Sequence, residues 1–362
     1  MIYFDSAATT YLKPQSVFRA MADYMRYNGG NPGRGGHELS IRASNSVYAC
    51  REAISEYIGA EPDEIVLTPS ATFALNLAIK GMLCAFDHAI ISDDAHNSML
   101  RPLNSTCSFS YCSSPDDAAL KIRKNTKMLL VNHASNVTGA VCDLEGYIRL
   151  AKNEKILLLV DASQSLGHIP FNVNGIDFVA APGHKGLFGP QGTGFLYVRK
   201  GLFPKPLTEG GTGFHSESLT QPELIPEGLE SGTLNGVGFA GLCAGIEFVK
   251  NLKHEENKLT KMLKEELLKI PHVTAYLPES EKTVPVISFN IKECDCVHVA
   301  DVLSEKFKIC VRSGLHCAPL AHKKIGTENT GTVRVSLCAF NTVGEVEKFL
   351  NIVDRRSTFV VK

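Results

Sequence analysis

Three short stretches hold residue types that chemistry needs. In APGHKGLFGPQGTGFLYVRK, Lys185 sits between an apolar run ending near Ala181 and a segment bearing Gly183, Gly186, Gly189, Gly192 and Gly194. Helix and sheet surfaces do not need glycine at that density, whereas a backbone passing close to a ligand does. A lysine held there away from bulk water has a depressed pKa and can form a Schiff base with an aldehyde. Taken alone, it would read as a surface lysine, and it is the setting that argues otherwise. Upstream, the apolar run KILLLV ends in Asp161-Ala162-Ser163-Gln164. In parallel α/β sheets ligands bind at the carboxyl ends of strands, although a lone Asp there can also be a turn or cap residue.

Together the lysine and the carboxylate suit pyridoxal 5'-phosphate, whose ring nitrogen needs a carboxylate to stay protonated and accept electrons. Its phosphate needs a cradle. The stretch LTPSATFALNLAIKGM offers a strand, a small-residue turn and a helix starting near Ala71 and Thr72. Backbone N–H groups at a helix start, with a hydroxyl beside them, bind phosphate, and an ordinary Ser/Thr cap is the competing reading.

A fourth stretch, SGLHCAP, places Cys317 in a Gly/Pro loop with His316 and Arg312 nearby, two groups that could lower its pKa. It is one of 11 cysteines, scattered without a disulfide framework, so most should be buried reduced thiols. Cys294 and Cys296 form a CDC pair too closely spaced for a common zinc knuckle, with no second pair nearby, and no metal is expected.

Those stretches need elements to position them. From Glu64 to Lys200 the runs EIVLT, HAIIS, KMLLVNHAS, KILLLVDAS, DFVAAP and TGFLYVRK alternate with helical or loop segments, which argues for a mainly parallel sheet covered by helices. A helix over 14–28 puts Val17, Met21, Tyr24 and Met25 on one face, and a second near Ser44 aligns Val47, Cys50, Ile54, Tyr57 and Ile58. After about Gly236 the strands VPVISFNI, KICVRSG and TVRVSLCAF, separated by helices, read as a smaller α+β domain. Its last helix opens on a Thr342/Glu345 capping box and buries Val346, Phe349, Leu350 and Val353. The expected division is an arm over 1–15, a large domain over 16–240 and a small domain over 241–362.

At 362 residues the chain has ample volume for a core, and 37 Lys plus Arg against 38 Asp plus Glu leave no field to recruit nucleic acid or an anionic membrane. The start MIYFDSAATT lacks the basic and apolar pattern of a secretory leader, and no apolar run reaches the ~18 residues of a membrane span. A cytoplasmic protein acting on small molecules is expected.

The chain resembles the class V aminotransferase family of pyridoxal-phosphate enzymes of fold type I, and within it the cysteine desulfurase and selenocysteine lyase branch of Suf type. The resemblance rests on FDSAATT, NPGRGGHELS, SATFALN, AHNSMLRP, NHASNVTGA, VDASQS, GHKGLFGPQGTG, ESGTLN, RSGLHCAP and TVRVS, ten motifs in family order over nearly the whole chain. It implies an α/β large domain carrying the cofactor and a small C-terminal domain carrying the cysteine loop. Lys185 would be the Schiff-base lysine, His96 the imidazole stacked on the ring, Asp161 the ring-nitrogen partner and Gln164 a donor to the ring hydroxyl. Ala71 and Thr72 at the helix start, with Thr72 and His184 as side-chain donors, would bind the phosphate, and Thr233 would reach the phosphate of the neighbouring subunit of a homodimer. Asn136 and Arg334 would hold the substrate carboxylate, Arg34 would lie at the substrate mouth, and Cys317 would take sulfur from L-cysteine as a persulfide and pass it to an acceptor protein. Release of selenium from L-selenocysteine is the alternative on the same scaffold. A transaminase or β-eliminase without a persulfide, and a non-catalytic sulfur-trafficking scaffold, are further readings.

Three positions depart from the family pattern. Pro182 stands where a Ser or Thr usually gives the phosphate a hydroxyl, Ala95 where Glu is common, and Leu315 where a first His is usual. Leu315 cannot relay protons.

Overall fold

The computed structural model describes residues 1–33, 35–213, 217–278 and 282–360, so Arg34, expected at the substrate mouth, lies outside the described residues. The chain opens with β1 (Ile2–Tyr3), α1 (Gln15–Tyr27) and α2 (Glu38–Ile58). An α/β stretch follows: β2 (Ile65–Thr68), α3 (Ala71–Met82), β3 (His88–Ser92), α4 (Asn97–Asn104), β4 (Ser108–Cys112), α5 (Pro115–Ala119), β5 (Thr126–Asn132), α6 (Leu144–Glu154), β6 (Leu157–Asp161), β7 (Phe178–Pro182) and β8 (Gly194–Val198). The rest comprises α7 (Gly236–Lys250), α8 (Glu256–Leu267), β9 (Val273–Tyr276), β10 (Val286–Ile291), α9 (Cys296–Phe307), β11 (Ile309–Cys310), β12 (Arg312–Gly314), α10 (Pro319–Lys324), β13 (Thr332–Ser336) and α11 (Val343–Val353).

The central sheet has the order β2-β8-β7-β6-β5-β3-β4, parallel from β7 through β4, with β8 antiparallel to both of its neighbours. Successive residues of one strand point to opposite faces, and here both faces are dry. Leu129 and Val131 enter one core with Ile54 and Ile58 of α2 and Leu242 and Ile246 of α7, while Met128 and Leu130 enter another with Leu75 and Ile79 of α3 and Met99 of α4. That two-sided burial is why these strands read as near-continuous apolar runs. The mainly parallel sheet expected from the sequence is therefore observed.

A second sheet, β12-β13-β10-β9, is antiparallel and carries its own core, in which Phe289, Val333 and Val335 meet Leu263 of α8, Val299 of α9 and Phe349 of α11. The start of the chain belongs to this core. Strand β1 pairs in parallel with β11, and Phe4 packs edge-on against Phe349 at 5.7 Å between ring centroids.

Two helix readings shift in detail. Val17 and Tyr24 of α1 are buried, but Met25 is 62 % exposed. The helix lies on α7 through a narrow stripe where Gly236 and Gly241 leave no room for a side chain, a Cβ on Gly241 falling 2.8 Å from Met21 Cγ, and Met25 is outside that stripe. Helix α11 has the expected capping box, with Thr342 Oγ1 accepting from Glu345 N and Glu345 Oε2 accepting from Thr342 N, and it buries Val346, Phe349 and Val353 while Leu350 is half-buried.

One ion pair ties the layers together. Arg51 on α2, 7 % exposed, donates to both oxygens of Glu230, and Glu230 Oε1 also accepts from the backbone of Leu67 in β2. Removing one partner of a buried pair leaves the other charge without compensation, which costs about 3–5 kcal/mol. Glu230→Ala is expected to lower unfolding stability by that amount, read as a lower midpoint in urea with an unchanged slope.

Candidate active site

The carboxyl ends of β5, β6 and β7 lie side by side, with Asn132 directly paired to Asp161, and the chain leaves each in a loop. A cavity of about 90 Å³ opens there, lined by Asn132, Asp161, Pro182, His184 and Lys185 from the strand ends and by Ala71 and Thr72 from the start of α3.

Lys185 lines this cavity, and its Nζ makes no hydrogen bond or ion pair among the described residues. Burial lowers its pKa to about 8; Asp161 pulls it up, and the cations Arg334 and Arg312 push it further down. The glycines around it have a different cause from the one the sequence suggested. A Cβ on Gly186 would fall 2.2 Å from the carbonyl oxygen of Leu166, one on Gly183 would fall 2.3 Å from Thr193 Oγ1, and one on Gly189 would meet Leu242 at 2.7 Å. These glycines admit neighbouring protein, not ligand. Gly194 faces the start of α3, where a Cβ would meet Ser70 C at 2.9 Å and Ala71 N at 3.1 Å.

Asp161 is 3 % exposed; its Oδ1 accepts from Ser163 N at 2.9 Å. Ser70 caps α3 by accepting from Phe73 N, so the helix begins with its first amides turned to the cavity mouth. His96 does two jobs. Its Nδ1 accepts from Ser98 N at 3.0 Å and so caps α4, and it lies 2.9 Å from Ser98 Oγ, which in turn is 2.8 Å from Thr72 Oγ1. An Nδ1 that accepts from a backbone N–H carries no proton, so the neutral ring bears its hydrogen on Nε2. Burial, opposed by Asp161 and reinforced by Lys185, lowers the pKa of His96 and keeps it in that neutral form.

Two buried acceptor or donor atoms on cavity-lining residues have no partner: His184 Nδ1 and Asn136 Oδ1. His184 is neutral at ordinary pH, its pKa lowered to about 4 by burial and the neighbouring lysines. An amine without a partner, a carboxylate with one oxygen uncommitted, a helix start and two orphaned polar atoms fit a ligand bearing an aldehyde, a basic ring nitrogen and a phosphate. Pro182 lines the wall and adds no donor of its own.

Other expected residues stand differently. Gln164 lines the cavity, but its Nε2 already donates to Ala7 O at 3.1 Å. Arg334 is 2 % exposed, donating from Nη1 to Asn136 O at 3.1 Å and from Nη2 to Asp5 Oδ1 at 2.8 Å, so two arms of the fork are engaged while Nε is buried without a partner. Asn136 Nδ2 donates to His316 O at 2.7 Å. Thr233 is exposed and is not among the residues lining the cavity around Lys185. His316 does not act as a cationic neighbour for Cys317. It is 5 % exposed, bonded through Nε2 to Thr332 Oγ1, packed on His322, and its pKa is pushed down to about 2 by burial, with Arg334, His322 and Arg312 adding to the effect. Arg312, exposed on β12, remains as the cation of that loop.

Cys317 itself is exposed. It lies in a groove of about 440 Å³ that shares Thr72, His96 and Ser98 with the inner cavity. His316 and Cys317 both have left-handed backbones, with φ of 48° and 57°, and Cys317 O accepts from Asn97 N at 2.8 Å beside His96. Consecutive non-glycine residues in that region are uncommon and strained. Sequence reading missed Ser98, Asn132 and Asp5. Ser98 was findable as the residue two beyond His96 at a helix start, whereas Asp5 touches Arg334 only through the tertiary fold.

A sequence model described as aminotransferase class-V matches residues 2–349. The chain is 34 % identical to a probable cysteine desulfurase of Methanothermobacter thermautotrophicus, covering 96 % of this chain and 92 % of that protein, and 36 % identical to one of Pyrococcus abyssi, covering 98 % and 94 %. Its fold is similar to the apo structure of the cysteine desulfurase from Thermococcus onnurineus NA1, with a TM-score of 0.91, 34 % identity and coverage of 98 % of this chain and 94 % of that one. The Escherichia coli cysteine desulfurase CsdA gives a TM-score of 0.87 at 27 % identity, covering 99 % and 95 %. With the lysine, the aspartate and the helix start gathered on the carboxyl edge of a fold type I sheet, the chain belongs to the class-V aminotransferase family.

Proposed function

We propose that the protein is a pyridoxal-phosphate-dependent cysteine desulfurase that converts L-cysteine to L-alanine and carries the released sulfur on Cys317 for delivery to an acceptor protein. The observation that carries this reading is an exposed cysteine, Cys317, in a groove that shares lining residues with a cavity holding an unpaired lysine and an aspartate. Lys185 and Asp161 would hold the cofactor, the amides of Ala71 and Thr72 with His184 would hold its phosphate, and His96 would cover its ring. Bound there, the cofactor supplies an aldehyde that captures the substrate amino group and a protonated ring that takes up the electrons released at Cα.

The residues do the rest. Asp161 keeps a proton on the ring nitrogen, and Lys185, with a pKa of about 8, is free enough of its own proton to take one from Cα. Arg334 and Asn136 orient the substrate carboxylate. The thiolate of Cys317 attacks the substrate sulfur, the new S–S bond forming as the C–S bond breaks, and the carbon fragment keeps the electron pair, gains protons and leaves as alanine.

Exposed Thr233 supports a homodimer in which it serves the partner's phosphate site. In this reading the arm of residues 1–15 and the portions 16–240 and 241–362 meet around the cavity.

Two measurements check the roles. Lys185 attacks the cofactor aldehyde only as the free amine, and its folded pKa is lowered, so its reactive fraction grows as pH rises toward about 8 and is constant above. Reconstitution of apo-protein with pyridoxal phosphate should therefore accelerate about tenfold per pH unit well below that value and then level off; a pH-independent rate would remove Lys185 from the role. Cys317→Ala should keep the bound-cofactor absorbance yet lose alanine formation from L-cysteine by at least about 100-fold, and mass spectrometry of the parent protein should find the extra sulfur on Cys317. Retained activity on L-selenocysteine in that variant would favour the selenocysteine lyase reading.

A further inference from the structure

The start of the chain crosses between the two sheets and touches the site repeatedly. It is anchored first by β1 on β11 and by Phe4 in the second core. From there Asp5 pairs with Arg334 at 2.8 Å, Ala7 donates its N–H to Ser336 Oγ at 2.8 Å and accepts from Gln164 Nε2 at 3.1 Å, and Thr10 N donates to His184 O at 3.0 Å. That same carbonyl, the one joining His184 to Lys185, also accepts from Thr9 Oγ1 at 3.2 Å, Thr10 Oγ1 at 3.1 Å and Lys13 Nζ at 3.1 Å. Lys13 donates to Thr10 Oγ1 as well, and it has no carboxylate partner among the described residues. A half-buried ammonium committed to a carbonyl and a hydroxyl, rather than to an acid, is held for those acceptors.

We propose that residues 5–13 form a strap that positions the two ends of the site independently: Asp5 fixes the guanidinium of Arg334, and Lys13, with Thr9 and Thr10, fixes the peptide that carries Lys185. Neither residue lines the cavity, so both act through another side chain or a backbone atom. Asp5 is the only carboxylate bonded to Arg334 among the described residues, and by taking one Nη2 hydrogen it sets the plane in which the unpartnered Nε–H is presented. Lys13 pins the carbonyl immediately before Lys185, which limits rotation of the backbone that aims the amine. The carboxylate-binding end of this proposal rests on the desulfurase reading; the lysine end does not.

The test uses the full-length protein and two dissociation constants. Pyridoxal phosphate is titrated into apo-protein, and L-alanine, which has the substrate carboxylate without the sulfur, is titrated into cofactor-saturated protein. Asp5→Asn should weaken L-alanine binding, and raise the KM for L-cysteine, by about tenfold while leaving cofactor affinity within about twofold. Lys13→Met should weaken cofactor binding by about tenfold and leave L-alanine binding within about twofold, with Lys13→Arg restoring it. Thermal melts accompany each variant, and where one does not fold, Asp5→Glu or Thr10→Val is read for the same split. Both constants moving together in either variant, or neither moving, overturns the strap. A wild-type protein that binds the cofactor and L-alanine yet makes no alanine from L-cysteine would instead overturn the desulfurase reading and leave the split between the two ends as measured.

Discussion

A lysine amine kept inside protein with no acid bonded to it sets the terms for its surroundings. Lys185 would be fully protonated in water, and burial together with Arg334 and Arg312 brings it to about 8. Such an arrangement is costly to folding, because desolvated cations of like sign repel. The fold offsets this with Asp161 and with Asp5, itself bonded to Arg334, both of which raise the lysine's pKa. The reactive group is thus balanced between two acids that do not touch it.

The sheet makes that balance possible. Strands β5, β6 and β7 are buried on both faces, and their side chains divide between two cores, so they cannot slide without moving an apolar face to a wrong partner. Asn132, Asp161 and Pro182 therefore arrive at one edge in fixed register, and Lys185 follows three residues after Pro182 in a turn locked by backbone contact between Gly186 and Leu166. Rigidity of the supporting strands is what allows a loop lysine to be placed without a hydrogen bond of its own.

Much of this was legible in the sequence, for reasons that differ from residue to residue. Apolar runs such as KILLLV announced the parallel sheet because two-sided burial leaves no polar alternation, and the Thr342/Glu345 box announced the last helix because caps are local chemistry. Lys185, Asp161 and the α3 start do converge on one cavity, as their positions after strands suggested. The glycines near Lys185 drew the right conclusion from the wrong cause, since they make room for Leu166, Thr193 and Leu242. What no local pattern could reveal is contact across the chain. His316 sits next to Cys317 in sequence, but its ring turns inward to Thr332 and His322, whereas Asp5 is 329 positions from Arg334 and touches it.

Cys317 carries the same lesson into chemistry. Its neighbours on the chain do not activate it, since Leu315 is half-exposed and aliphatic and His316 is neutral and buried. Other thiols have their pKa pushed up by burial, those of Cys50, Cys112, Cys142, Cys296 and Cys338 among them, which makes them poorer nucleophiles. Cys317 differs from them in being exposed: two left-handed residues in succession, their carbonyls tied to Asn136 and Asn97, hold it in the groove that Thr72, His96 and Ser98 share with the inner cavity. The strain in that loop is balanced by bonds to the residue beside His96 and to Asn136, so the same contacts that stabilise the turn also fix the thiol relative to the cavity.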